Sequence, residues 1–313
     1  MSRIDKLPAV VTSFAYREEY FSELGGMLAT VQKHHPAWHV VSGKGPVSGF
    51  NSPTFEVASP QHNLQWSLPV SFQLDGTEKD WHRIVFMKGW WMAQVWHQLS
   101  TFASSDIRRI IWLDADGRLN GPLDIELDPE AEIIASPWWT DPGTPEHEHH
   151  ICSGLLIFQG RRGGPVERVL DAWAADCLDR IAVPLMPSAF LPGPEGDQCL
   201  LTKIVKNNSG EQEDYGVLKL SYEKYCGVPD NKTNECKPGA LVHQWMMNKK
   251  MRRPEDRGKD WPPPEEARRN PPVGDRDALE NRRTACCMQD NTVIFRVCRF
   301  PANFSRPAFC WSC

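Results

Sequence analysis

The chain has 313 residues, a formal net charge of -5 and 41% hydrophobic residues, enough to bury a sizeable core in one large α/β domain or two small ones. The negative charge excludes nucleic acid as a whole-surface partner, which would need a basic face, and the ordinary composition, apart from 13 tryptophans and 26 prolines, excludes disorder of the whole chain. No apolar run approaches the roughly 20 residues that span a bilayer, so no transmembrane segment is expected, and nothing near Met1 reads as a secretory signal, so the expected location is the cytoplasm.

Residues 9–15 are apolar and rich in β-branched side chains, which predicts a first strand, and the polar segment 18–34 predicts a helix. Residues 39–42 read as a second short strand, ended by a glycine-containing loop over 43–49. Strand, helix and strand in succession predict a parallel sheet. Over residues 80–102 the apolar Ile84, Val85, Trp91, Met92, Val95, Trp96 and Leu99 recur at three- and four-residue spacing, one buried face of a long helix. Lys88 lies in that stripe. It is either a lysine snorkelling to the edge of the core or a cation aimed at a carboxylate or phosphate, since a lysine is seldom buried without a partner.

Residues 109–113 form a buried strand that runs directly into Asp114-Ala115-Asp116-Gly117. Two more core strands are expected at 132–136 and 154–158, a helix at 166–180, a strand at 217–222, and a further apolar segment at 241–247 after a loop with Pro229 and Pro238. From 253 to 277 the sequence is prolines, arginines and acids with almost no apolar content, so it cannot bury enough surface to order itself. The expected organisation is a domain over 1–252, a linker or surface arm over 253–283 and a cysteine-rich tail over 284–313, where 292–300 alternates like an edge strand.

Five cysteines stand singly between Cys152 and Cys236, and with no signal segment the simplest reading is reduced, buried thiols. The other five are Cys286, Cys287, Cys298, Cys310 and Cys313. The closing Cys310-Trp-Ser-Cys313 has the spacing of a zinc knuckle or redox pair, so a structural Zn²⁺ stands beside the reading as ordinary thiols.

The chemistry concentrates at Asp114 and Asp116. Two carboxylates one residue apart, at the C-terminal end of a strand as apolar as Ile110-Ile111-Trp112-Leu113, sit where open α/β sheets place their ligands. Hard oxygen ligands suit Mg²⁺ or Mn²⁺, which bind one or two carboxylates together with substrate phosphates. Ile111-Trp-Leu-Asp-Ala-Asp-Gly-Arg-Leu-Asn-Gly-Pro-Leu-Asp124 resembles the metal-binding signature of the GT-A nucleotide-sugar transferases, especially glycosyltransferase family eight.

The resemblance spans roughly residues 9–251 and implies a GT-A type fold, a Rossmann-like mixed central sheet flanked by helices. It implies a metal-dependent transfer of sugar from a nucleotide diphosphate sugar, most commonly a UDP-sugar, to a hydroxyl acceptor. Ser13, Phe14 and Tyr16 match the segment that packs against base and ribose, Lys88 the basic residue on the helix before the metal motif, and Ser153 and Gly154 the strand lining the donor sugar. Asp197 and Gln198 match the acidic-glutamine pair near the reacting sugar. His243 and Lys249 match the third metal ligand and a lysine to the diphosphate, although Met246 stands where glycine is usual.

The acceptor is a glycan, a protein or a modified nucleic acid reached through the arginines between Arg252 and Arg283. Trp138 and Trp139 are candidates for acceptor contact, and His147, Glu148, His149 and His150 read as a solvated loop. Two other readings stand beside the transferase. Leu113-Asp-Ala-Asp-Gly-Arg-Leu119 superficially resembles a haloacid-dehalogenase phosphatase loop, with arginine where that loop has threonine. A catalytically silent sugar-nucleotide or glycan binder would use the tryptophans as stacking platforms.

Overall fold

Residues 2–4, 7–47, 52–59, 62–70, 78–103, 109–127, 132–137, 151–182, 196–208, 217–220, 225 and 242–243 are described by the computed structural model, all within Met1–Gly274. The expectations for the arm, the cysteine-rich tail, Trp138, Trp139, the cluster from His147 to His150 and Lys249 lie outside the described residues.

In chain order the elements are β1 (Ser2–Arg3), β2 (Val10–Tyr16), a 3-10 turn (Glu18–Tyr20), α1 (Phe21–His34), β3 (His39–Gly45), β4 (Thr54–Ala58), β5 (Asn63–Ser67), α2 (Glu78–His97), α3 (Leu99–Phe102), β6 (Arg109–Leu113), β7 (Arg118–Leu119) and β8 (Glu126–Leu127). Then follow β9 (Ile133–Pro137), β10 (Ile151–Gln159), α4 (Pro165–Ala182), α5 (Asp197–Asn208), β11 (Val217–Lys219) and β12 (Val242–His243). Among the described residues, β11-β9-β10-β6-β2-β3-β4-β5 is the order of an eight-stranded sheet, and β1-β8 and β12-β7 are separate pairs.

Three strands, β3, β2 and β6, run parallel, whereas β10 is antiparallel to both β6 and β9. The sheet is therefore mixed and Rossmann-like, as expected. From β2 the chain winds outward through β3 to one side, and β6 lies on the other side. The boundary between β2 and β6 is a topological switch point, and open sheets of this kind hold ligands beyond the carboxyl ends of the strands there.

Helices cover both faces. On one side Leu24, Met27 and Val31 of α1 pack with Val11, Ile111, Leu113, Ile134 and Ile157; on the other, α2, α4 and α5 pack against Phe14, Trp112, Leu156 and Phe158. All seven positions of β2 are buried for this reason. The second layer is unusually aromatic. Phe14 meets Phe55, Trp91 and Trp112 at centroid distances of 5.2, 5.5 and 5.5 Å, edge-on and tilted pairs of the sort worth about 0.5–1.5 kcal/mol each beyond area burial.

Several boundaries differ from the sequence expectation for identifiable reasons. β3 continues through Gly43, Lys44 and Gly45, expected to be loop, because both glycines are strand positions of close approach: a Cβ on Gly43 would collide with the Trp91 ring, and one on Gly45 would lie 2.9 Å from Phe55. The β4–β5 hairpin was not anticipated at all. The helix expected over 80–102 stops at His97 and restarts as α3. Cys152 corrects the expectation of uniformly reduced thiols, being disulfide-bonded, while Cys177 and Cys199 are buried and outside any disulfide. Pairing depends on how near the fold brings two Cα atoms, which spacing along the chain does not encode. Among the described residues no helix is long and apolar enough to cross a membrane.

Candidate functional site

At the carboxyl end of β6 the chain leaves the sheet in a tight turn, closed by the Gly117 amide donating to the Asp114 carbonyl at 2.7 Å. Gly117 fits because a Cβ there would lie 2.9 Å from that carbonyl. The turn carries Asp114 and Asp116, 8% and 2% exposed. The Asp114 amide donates to the Gly154 carbonyl of β10 at 3.0 Å, and β10 changes register against β9 between Ile151 and Leu156, a bulge that aims Ser153 toward the same place.

Lys88 enters from α2. Its ammonium lies 2.9 Å from Asp114 Oδ1 and 3.1 Å from Asp197 Oδ2, and it donates to the Ser153 carbonyl and Oγ at 3.1 and 3.0 Å. Lys88 is 6% exposed. Of its two sequence readings, the partnered cation is the observed one. Burial by itself would favour the neutral amine, but Asp114 and Asp197 outweigh that and hold the lysine above its ordinary value. The same ammonium lies 5.2 Å from the Trp112 ring centroid, and the Trp112 indole N–H donates to Asp114 Oδ1 at 2.8 Å.

Asp197 is the first residue of α5, where the amino-terminal end of the helix favours a carboxylate. The Trp173 indole of α4 donates to its carbonyl at 2.9 Å. Gly89 lets α4 approach α2 closely, since a Cβ there would lie 2.9 Å from the Trp173 carbonyl. Gln198 follows, partly exposed. Its carbonyl accepts from Thr202 Oγ1 at 2.7 Å, and the same hydroxyl accepts the Ile151 amide at 2.8 Å, tying α5 to the start of β10.

Asp114 is raised above the usual carboxylate range, first by burial and then, against the pull of Lys88, by the charges of Asp116 and Asp197. Asp114 and Asp197 thus share one buried ammonium. Among the described residues no group of three or more histidine, cysteine or acidic side chains is arranged to hold a metal ion. The described oxygen donors are Asp114 and Asp116, a pair that suits Mg²⁺ or Mn²⁺ when substrate phosphates complete the shell. Strand β12 pairs with β7 so that His243 stands opposite Arg118, which brings the backbone of the expected third ligand beside the turn; its side chain lies outside the described residues.

The structure therefore joins Lys88, Asp114, Ser153, Gly154 and Asp197, contributed by four separated segments. Ser13 and Phe14 are buried within the core, Ser13 completely, and Tyr16 is 3% exposed against Phe55. Sequence reasoning passed over Trp112, Trp173 and Arg118. The first had a signal, because an indole two residues before Asp114 on a strand shares its face; Trp173 reaches the site only through the fold, and Arg118, although two residues after Asp116, takes its seat beside Gly26 from the fold.

No family model matches the chain, and no curated protein matches it. Among solved structures it is similar to a glycosyltransferase involved in the glycosylation of the major capsid of PBCV-1, at 12% identity over 80% of this chain and 98% of that one, with a TM-score of 0.45. At that similarity the site stands on this chain's own geometry.

Proposed function

We propose that the chain is a metal-dependent glycosyltransferase that moves a sugar from a nucleotide diphosphate sugar, a UDP-sugar, to a hydroxyl acceptor. The observation that carries this reading is the Lys88 ammonium bridging Asp114 after β6 and Asp197 at the start of α5, beyond the switch point of the sheet. These two acids are the ones the family resemblance assigns to the metal motif and to the reacting sugar.

A divalent ion, Mn²⁺ or Mg²⁺, bound by Asp114 and Asp116 with His243, would supply positive charge to the diphosphate as the sugar-phosphate bond breaks. Lys88 fixes the separation of Asp114 and Asp197 and, being buried, holds them without reorganisation when charge develops. Ser153 and Gly154 would line the donor sugar from β10, and Ser13, Phe14 and Tyr16, buried in the core, would support the base and ribose from beneath the end of β2. Asp197 and Gln198 act at the anomeric carbon, as base toward the acceptor hydroxyl or as stabilisers of the positive sugar ring. The resemblance assigns Lys249 to the diphosphate.

The test is a thermal-shift screen of nucleoside diphosphates with and without Mn²⁺, since a ligand specific to the native state raises apparent stability by mass action. The expected result is stabilisation by UDP only with Mn²⁺, lost in Asp116→Ala. A variant stabilised as much as the wild type would remove Asp116 from the site.

A further inference from the structure

Resting on the metal-site reading above, we infer that Arg118 is the positioning residue of the Asp114–Asp116 turn, holding it from the side of α1. Arg118 is 5% exposed. Its Nη1 donates to the Gly117 carbonyl at 2.6 Å and to the Ala115 carbonyl at 3.3 Å. Together with the Gly117 amide on the Asp114 carbonyl, these bonds engage the backbone of three of the four residues from Asp114 to Gly117. Buried carbonyls without a donor are costly, and a charged donor binds them about twice as strongly as a neutral one. A turn so held presents its carboxylates in one arrangement.

Helix α1 provides the seat. A Cβ on Gly26 would stand 2.5 Å from Arg118 Nη2 and 2.8 Å from Cζ, so the guanidinium occupies the space that glycine leaves. One turn further on, Thr30 Oγ1 accepts the Leu119 amide at 3.1 Å while donating to the Met27 carbonyl at 2.7 Å. Gly26 and Thr30 thus dock β7 on α1, and β7 in turn pairs with β12 at Arg118 and His243. One side chain therefore sets the turn with the two acids and sits at the register position where the third expected ligand arrives. Lysine keeps the charge but lacks the planar guanidinium whose Nη2 and Cζ fill the space beside Gly26 while Nη1 reaches the two carbonyls.

Two variants approach the contact from opposite sides. Arg118→Lys keeps the charge and loses the planar guanidinium that fills the space beside Gly26. Gly26→Ala displaces the guanidinium, and because the added methyl meets only the far end of the Arg118 side chain, the backbone of α1 is not itself obstructed. Mn²⁺ is titrated by electron paramagnetic resonance, alone and with UDP, into wild type, both variants and the double variant, with near-ultraviolet circular dichroism as the fold control.

Each single variant is expected to bind Mn²⁺ about tenfold more weakly, the scale on which partners that orient metal ligands act, with the fold intact. The double variant is expected to lose little more than either alone, since both displace the same group. Variants that bind as tightly as wild type, or losses that simply add, overturn the role of Arg118 while the metal site stands. If Arg118→Lys does not fold, Gly26→Ala alone decides. A wild type that binds no Mn²⁺ with or without UDP overturns the metal-site reading itself, and this inference with it.

Discussion

Replacing Lys88 by methionine removes one cation from between two buried carboxylates and leaves the volume nearly unchanged. The lysine makes contacts of 2.9 and 3.1 Å to Asp114 and Asp197 and two more to Ser153. Breaking a buried ion pair by deleting one partner costs about 3–5 kcal/mol, because the remaining charge is left without compensation. The loss also depends on pH in a definite sense. Asp114 is raised in the folded state, so the folded chain binds more protons than the unfolded one, and this group makes stability fall as pH rises from the unfolded value of about 3.9 through the raised one. Lys88 opposes that rise, and without it the window extends to higher pH. Urea unfolding of Lys88→Met in EDTA, followed by circular dichroism, should therefore show a deficit of about 3–5 kcal/mol near pH 8 that shrinks as the pH falls and Asp114 takes up its proton. A deficit below about 1 kcal/mol at pH 8, the scale of an exposed pair, or one independent of pH, would refute the buried, charged bridge.

Two further outcomes follow from the packing around Asp197. Trp173→Phe removes the indole donor to the Asp197 carbonyl and should cost about 1–3 kcal/mol in urea unfolding; an unchanged midpoint would mean the bond contributes nothing. Cys177, free but fully buried against Gly89, has its thiol pushed well above the ordinary range, by burial first and then by Asp197. It should resist iodoacetamide near pH 8 in the native protein and react once unfolded, as peptide mass spectrometry would show; rapid native labelling would contradict this burial.

The sheet's central strands were legible because β2, β6 and β10 are covered on both faces, and such strands read as near-continuous apolar runs. Helix α2 was legible from its apolar spacing, and that spacing even placed Lys88 on the buried face. The β4–β5 hairpin carried a signal of its own: Phe55 and Val57 alternate with polar residues, as do Leu64 and Trp66, around a short turn. Its exposed outer positions and short length hid it beside the stronger run of α2. The acids of the site were legible as a motif at a strand end. That Lys88 joins two of them was not, because Asp114 and Asp197 meet only when α5 packs against β10 and α4. Arg118 was illegible for a similar reason. Nothing in its neighbourhood along the chain indicates that Gly26, 92 positions earlier, leaves room for a guanidinium.

The central claim is that this site cleaves a nucleotide-sugar bond using Asp116 and a divalent ion. Its most direct test is nucleotide release, measured by liquid chromatography and mass spectrometry, from a panel of UDP-sugars incubated with wild type or Asp116→Ala, with Mn²⁺ or with EDTA. The account predicts UDP from at least one donor, with the sugar passed to water or acceptor, only with wild type and only with the metal. UDP release that survives Asp116→Ala or EDTA, or none from any donor, would contradict it.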